Sequence, residues 1–272
     1  MRPKEIVEEL LSCARDAARN FDTRSFQEVH DEAVVDIATV ADRQISEALT
    51  ARIRAIAPKA NILSEESGLI RGEDPSLTIA IDDLDGTDNF FRARDLLPWC
   101  TVITILEGER PRFSDVVACG ILEHRLGIAW KAAKGEGIEN SDPNGSVKLT
   151  PRVIDPPTDK RTLVLFDHYA AGADTSRYAT LHGKYWVKDF GSSAFHLALV
   201  AAGFAEAYVN IAHKAHELGA GYLLVKESGG NVVDFSGHDL GESRFDFIAR
   251  YGIVASRSAS LTSAILKQLP KN

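Results

Sequence analysis

Cysteine is scarce in this chain: Cys13, Cys100 and Cys119 are the only three in 272 residues, and Cys100 and Cys119 lie in apolar runs. An odd, dispersed set builds no disulfide framework, so buried thiols in a reducing cytoplasm are the expectation. A basic excess is lacking too. Thirty-one Lys and Arg face 39 Asp and Glu, a net charge of −8. That balance argues against a nucleic-acid partner or an anionic membrane surface, because each would need a basic face. No apolar run approaches the ~20 residues of a membrane span. The stretch Met1–Phe21 mixes charge with apolar residues at helical spacing and has no signal-peptide core. Repeats, low-complexity tracts and Walker or dinucleotide fingerprints are absent, and Gly135 and Gly137 form only a lone GxG. What remains is ordinary globular composition, 44% hydrophobic and 26% charged, long enough for one large domain or two tightly joined ones. A negative protein can still hold a phosphate if metal ions invert the charge inside its site.

Apolar spacing predicts helices over residues 3–20 and 36–57, the second with the stripe Ile45, Leu49, Ile53 and Ile56. Strand composition follows at Leu77–Ile81, Cys100–Leu106, Asp115–Leu122 and Gly127–Ala132, with hairpin tips at residues 107–109 and 134–137. Residues 141–160 read as an aperiodic loop. Strands and helices then alternate: strands at 163–166, 185–187, 207–209, 232–233 and 253–255, helices at 174–182, 192–202, 215–228 and 261–269. Hairpins first and β/α alternation later predict an α/β fold, or layered α+β, in two subdomains, residues 1–140 and 141–272.

The informative segment is Ile79-Ala80-Ile81-Asp82-Asp83-Leu84-Asp85-Gly86-Thr87-Asp88-Asn89-Phe90, an apolar strand running into Asp82, Asp83, Asp85 and Asp88. Like charges crowded at a strand end raise one another's pKa, and a divalent cation removes that cost. A turn can aim Asp82 and Asp85 at one point, and the Gly86-Thr87 step turns backbone N–H groups toward an anion. All-oxygen ligation suits Mg2+, or Mn2+, rather than zinc. A calcium loop fails on register, because with Gly86 in the glycine position the end ligands would be Ile81 and Arg92. Further acids stand at Glu65 and Glu66 in SEESG, at Asp42, and at Glu217 in HELGAGYLLVKESGG. A zinc-protease reading of His216-Glu217 fails, because Ala220 occupies the second histidine position.

SEESG, DDLDGTDNF, GSSAFHLALVAAGFAEAYV and HELGAGYLLVKESGG, in that order, resemble the inositol monophosphatase and fructose-1,6-bisphosphatase superfamily of metal-dependent, lithium-sensitive phosphatases. The resemblance runs from about Asp31 to Ser256. It implies an αβαβα sandwich, a homodimer, and two or three Mg2+ ions. It also implies site residues. Glu65, Asp82 and the Leu84 carbonyl would hold the first ion; Asp82, Asp85 and Glu217 the second. Asp42 and Thr87, with Glu65, would prepare the attacking water. Gly86 and Thr87 would bind phosphate, and Gly191, Ser192, Ser193, Asn210 and Glu217 would approach the rest of the substrate. Glu66 would support the site from behind. Such a cluster neutralises the charge that spreads during phosphoryl transfer without a covalent intermediate.

Three positions depart from the common inositol monophosphatase pattern. Asp83 replaces a proline and reads as a spectator. His216-Glu217 replaces Trp-Asp, with Glu217 still a ligand and His216 a packing residue or one that supports the site from behind. Asn210 replaces the acid that contacts inositol hydroxyls. Lys214, Arg92 and Arg94 read as solvated surface, with a second anionic group as the alternative. The expected function is hydrolysis of a small phosphorylated polyol or sugar, with inositol monophosphate first and fructose 1,6-bisphosphate, a 3′-phosphonucleotide or histidinol phosphate as alternatives. From another class, a non-catalytic binding or regulatory protein would keep the fold without the turnover.

Overall fold

The computed structural model describes residues 1–20, 34–93, 96–142, 145–148, 159–167 and 175–269. Helices α1 (Pro3–Arg19) and α2 (Val34–Ile56) lie side by side. Ile6, Leu10, Ile45, Leu49 and Ile53, three or four apart along their helices, are all buried. They cover one face of an eight-stranded sheet of order β2-β1-β3-β4-β5-β6-β7-β8. Its strands are β1 (Ala60–Ser64), β2 (Gly68–Ile70), β3 (Asp74–Asp85), β4 (Cys100–Glu107), β5 (Val116–Glu123), β6 (Ile128–Ala133), β7 (Gly137–Asp142) and β8 (Gly145–Lys148). Only β1 and β3 pair parallel. Helix α3 (Thr87–Ala93) follows β3 directly.

The second sheet has order β10-β9-β11-β13-β12, from β9 (Leu163–Phe166), β10 (Trp186–Lys188), β11 (Ala207–Lys214), β12 (Asn231–Asp234) and β13 (Arg250–Ser256). Between the sheets lie α5 (Ser193–Ala202) and α6 (Ala215–Glu227); α4 (Ala179–Lys184) and α7 (Ala259–Leu266) cover the outer face. Strand periodicity assigns residues to layers. Ile103 and Ile105 face α1 and α2, whereas Val102 faces α5 and α6. Leu165 likewise faces the middle helices, whereas Val164 and Phe166 face α4 and α7. Three apolar cores, the central one spanning both faces of α5 and α6, thus join five layers, the αβαβα sandwich. Among the described residues no helix is long and apolar enough to cross a membrane.

Most predicted elements are present within a few residues. The loop expected over 141–160 is not one throughout. β7 crosses the boundary placed at residue 140, and β8 extends the first sheet to Lys148. Backbone pairing of Asn140 with Val147 and Asp142 with Gly145 makes this polar stretch a hairpin, which composition does not signal. The helix expected at 174–182 is a short 3-10 turn, Thr175–Tyr178, followed by α4, and Asp174 lies outside the described residues.

Candidate active site

The site forms where β3 ends. Asp82 and Asp83 point to opposite sides of the sheet, and both are almost wholly buried. Gly86 turns the chain at φ 89°, a left-handed conformation natural only to glycine, and α3 begins at Thr87. Against this turn packs the loop before α5. Gly191 also has positive φ, and a side chain there would meet the Asn89 amide at 2.8 Å. Asn89 Nδ2 donates to the Pro98 and Phe190 carbonyls at 2.7 and 2.5 Å, locking the two loops together.

Together they enclose a cleft of about 700 Å³. Among the described residues seven acids line it, Glu65, Asp82, Asp85, Asp88, Asp167, Asp189 and Glu217, against Arg92 and His213 of opposite charge. Asp85 lies at the N-terminus of α5. It accepts from the Ser193 and Ala194 N–H groups at 3.3 and 3.0 Å, from Ser193 Oγ at 2.9 Å, and from Ser192 Oγ. Burial still holds its carboxyl above the usual range, although those hydroxyls pull the other way. Asp82 has no such help. Among the described residues no hydrogen-bond donor serves it, and burial, with Asp85, Glu65 and Glu217 nearby, raises it well above the ordinary value. A buried acid without a donor, among three other acids, is a place that a divalent cation fits.

Glu217 begins α6. Burial would raise it, but His213 Nδ1 at 2.5 Å and the Lys214 N–H at 2.7 Å hold it low. The same imidazole reaches Asp167 Oδ2 at 2.5 Å through Nε2. Burial opposes its charge, yet the two carboxylates lift His213 to about 10, so it is an imidazolium. Glu65 follows β1 and is held at about 2 by His216 and Lys214, against its burial. Lys214 Nζ stands 3.0 Å from Glu65 Oε1.

The expected metal ligands Glu65, Asp82, Leu84, Asp85 and Glu217 therefore share one cleft, as do Gly86, Thr87, Gly191 and Ser193. Ser192 does not line it; it caps α5, accepting from the Phe195 N–H at 3.2 Å, and donates to Asp85. In this structure the Ser192 hydroxyl supports an acid of the cleft. Asn210 is not on the cleft either. It is fully buried in β11 with neither side-chain polar atom hydrogen-bonded, because its side of the strand faces the protein interior. Asp42, on α2, lies among Glu66, Asp83 and Glu65; burial first, then those charges, push it up to about 8. Among the described residues no hydrogen bond joins it to Thr87, whose Oγ1 donates to the Leu84 carbonyl at 3.1 Å. Asp83 lies behind the site, accepting from Ser64 Oγ at 3.1 Å, and Ser64 Oγ also meets Ser46 Oγ at 3.1 Å. Arg94 lies outside the described residues.

Asp167, His213 and Asp189 escaped sequence reasoning. Asp167 had a signal: Leu-Val-Leu-Phe-Asp repeats in small the pattern of an apolar strand ending in an acid. His213 had none, since its role depends on β11 running four residues beyond the recognised Val209.

The sequence model of the inositol monophosphatase family matches residues 4–272. The chain is 30% identical to Nus factor SuhB of Escherichia coli (strain K12) over 225 residues, 81% of this chain and 80% of that protein. It is 27% identical to an inositol-1-monophosphatase of Mesorhizobium japonicum over 274 residues, 98% and 95% of the two chains. A solved structure of an IMPase/NADP phosphatase complexed with Mg2+ and phosphate superposes with a TM-score of 0.69 at 17% identity, covering 86% of this chain and 82% of that one. The chain belongs to the inositol monophosphatase family.

Proposed function

We propose that this chain is a Mg2+-dependent phosphomonoesterase acting on a small phosphorylated polyol or sugar. One observation carries the reading: Glu65 after β1, Asp82 and Asp85 at the end of β3, and Glu217 at the start of α6 line one cleft in which acids outnumber cationic side chains. Glu65, Asp82 and the Leu84 carbonyl would hold one ion, and Asp82, Asp85 and Glu217 a second, with Mn2+ able to substitute. When bound, the ions supply positive charge for the phosphate and acidify a water. The protein's own residues do the rest. Ser192, Ser193 and the N-terminus of α5 keep Asp85 oriented. His213 holds Glu217 in place and offsets its charge and that of Asp167. The Gly86 turn leaves the first N–H groups of α3 facing the cleft for phosphate oxygens. Asp42, pushed up to about 8, holds its proton through most of the neutral range and would take one from water only in its ionised form, once Thr87 and the substrate are engaged. Inositol monophosphate is the first candidate substrate. A cytoplasmic homodimer without nucleic-acid or membrane partners belongs to the same reading.

A second reading has a specific observation behind it. Lys214 already neutralises Glu65, and a relative of 30% identity is named a Nus factor. A regulatory binding protein would keep the fold this way. Phosphate release from a panel of small monoesters, with and without Mg2+, separates the two. Mg2+-dependent release lost in Asp85→Asn supports the enzyme. No release from any compound by folded protein supplied with Mg2+ or Mn2+ refutes it.

A further inference from the structure

We propose that His216 Nε2 joins Glu65 and Glu217 in a mixed nitrogen–oxygen site that prefers a late first-row dication, of the Co2+ or Zn2+ class, to Mg2+. The inference deepens the metal-dependent reading above and rests on it. One ligand atom from each of the three residues lies within 4.8 Å of the other two. Acids alone would not make such a site. The further observation is the histidine: its side chain is fully buried, and neither ring nitrogen makes a hydrogen bond.

An imidazole sealed from water without a hydrogen bond is costly, and the ion pair with Glu65 at 3.6 Å leaves both ring nitrogens unmet. Its position shows where a partner would stand. Phe247 packs on the ring with centroids 4.8 Å apart, and Nε2 lies 3.6 Å from Glu65 Oε2, just beyond hydrogen-bond reach. Two atoms each about 2.1 Å from one ion stand roughly 3.0–3.4 Å apart at right-angled to tetrahedral geometry. Glu65 and His216 thus need close by only a few tenths of an ångström. Glu217 spends its Oε2 on His213 and the Lys214 N–H, and no hydrogen bond among the described residues uses its Oε1.

Lys214 Nζ, on Glu65 Oε1 at 3.0 Å, holds the place of the positive charge, and it is exposed enough to swing into solvent when an ion enters. Nitrogen is what shifts the preference. Mg2+ favours oxygen in octahedral array, whereas imidazole suits cobalt and zinc.

The test uses the full chain, stripped with chelator and labelled with 15N-histidine. Long-range proton–nitrogen spectra are recorded during separate titrations with Zn2+ and Mg2+, and Co2+, Zn2+ and Mg2+ affinities are measured by calorimetry. The His216 signals are assigned by their loss in His216→Gln. Zn2+ should move the Nε2 resonance and Mg2+ should leave it in place. His216→Gln should weaken Co2+ and Zn2+ at least ~10-fold and Mg2+ less than about threefold. Glu65→Gln, at a partly exposed position, should also weaken Zn2+, which guards against a folding defect at the buried histidine. A Nε2 signal unmoved at saturating Zn2+ overturns the proposal, as does an equal loss for all three ions in His216→Gln. Zn2+ on Nε2 in a protein that hydrolyses no phosphomonoester with any ion would leave the site standing and sink the phosphatase. Mg2+-driven hydrolysis with a silent Nε2 would do the reverse.

Discussion

Replacing Asp83 with asparagine should stabilise the metal-free protein, and only at neutral to alkaline pH. Asp83 is 1% exposed and faces away from the cleft. Its Oδ2 accepts from Ser64, while its Oδ1 is buried without a partner. Burial is the main cause lifting its carboxyl from 3.8 to about 7. The folded chain therefore keeps this proton up to about pH 7, the unfolded chain only to about 3.8. Between those values the native state binds more protons, so stability falls as pH rises and the loss is complete above about 7. The displacement corresponds to roughly 4 kcal/mol. Asparagine escapes that loss but places an N–H2 where Oδ1 found no partner, at a cost of about 1–3 kcal/mol. The net gain at pH 8.5 is then about 1–3 kcal/mol, or roughly 2–10 °C for a chain of this size. Melting both proteins in chelator from pH 4 to 9 measures it. The variant should melt no higher than the native chain at pH 4 and clearly higher at pH 8.5. A lead that is the same at every pH, or no lead at pH 8.5, would refute the charge argument.

Gly221→Ala should unfold more easily, because the new Cβ would stand 2.2 Å from Leu197 Cδ1 and 2.6 Å from its Cβ where α5 and α6 cross. A loss of about 1–3 kcal/mol is expected in urea titration. Ser192→Ala removes the α5 cap, worth ~1 kcal/mol, together with a donor to Asp85. The Asp85 carboxyl should rise further, so calorimetric Mg2+ titration at pH 6.5, 7.5 and 8.5 should show the affinity loss shrinking as pH increases. For His213, whose folded pKa is raised to about 10 from 6.5, the stabilisation is fully present below 6.5 and lost as pH climbs through 10. In chelator, His213→Gln should therefore melt below the native chain at pH 7, with the gap closing above pH 10.

The acids were legible because their spacing is local. Asp82, Asp85 and the Gly86-Thr87 turn lie within six residues, and strand-end geometry follows from alternation alone. The five layers were implied by the family resemblance rather than by periodicity, which marked helices and strands without saying which faces meet. What stayed hidden depends on distant partners. Ser192 looked like a substrate contact until Asp85, 107 residues away in sequence, was seen to hold its hydroxyl. Asn210 occupies a position whose family role depends on an acid, and asparagine there is simply sealed inside β11. Asp83 seemed a bystander, yet its burial makes it a titrating group of the fold. The β7–β8 hairpin was missed because Glu-Asn-Ser-Asp and Gly-Ser-Val-Lys carry no alternation, and an edge hairpin needs little.

The middle helices have a consequence for assembly. Asp85 comes from the first sheet but is held by the start of α5, while Glu217 begins α6 beneath the second sheet. Neither half of the chain can assemble the cleft by itself. An ion that grips both acids is therefore a rivet driven through all the inner layers, and pulling them apart must first draw it out. Divalent cations should slow global unfolding, not merely quiet one loop, and each should act in proportion to its affinity for the intact cleft. A metal-dependent hydrolase built this way would carry its catalyst and its fastener in one place.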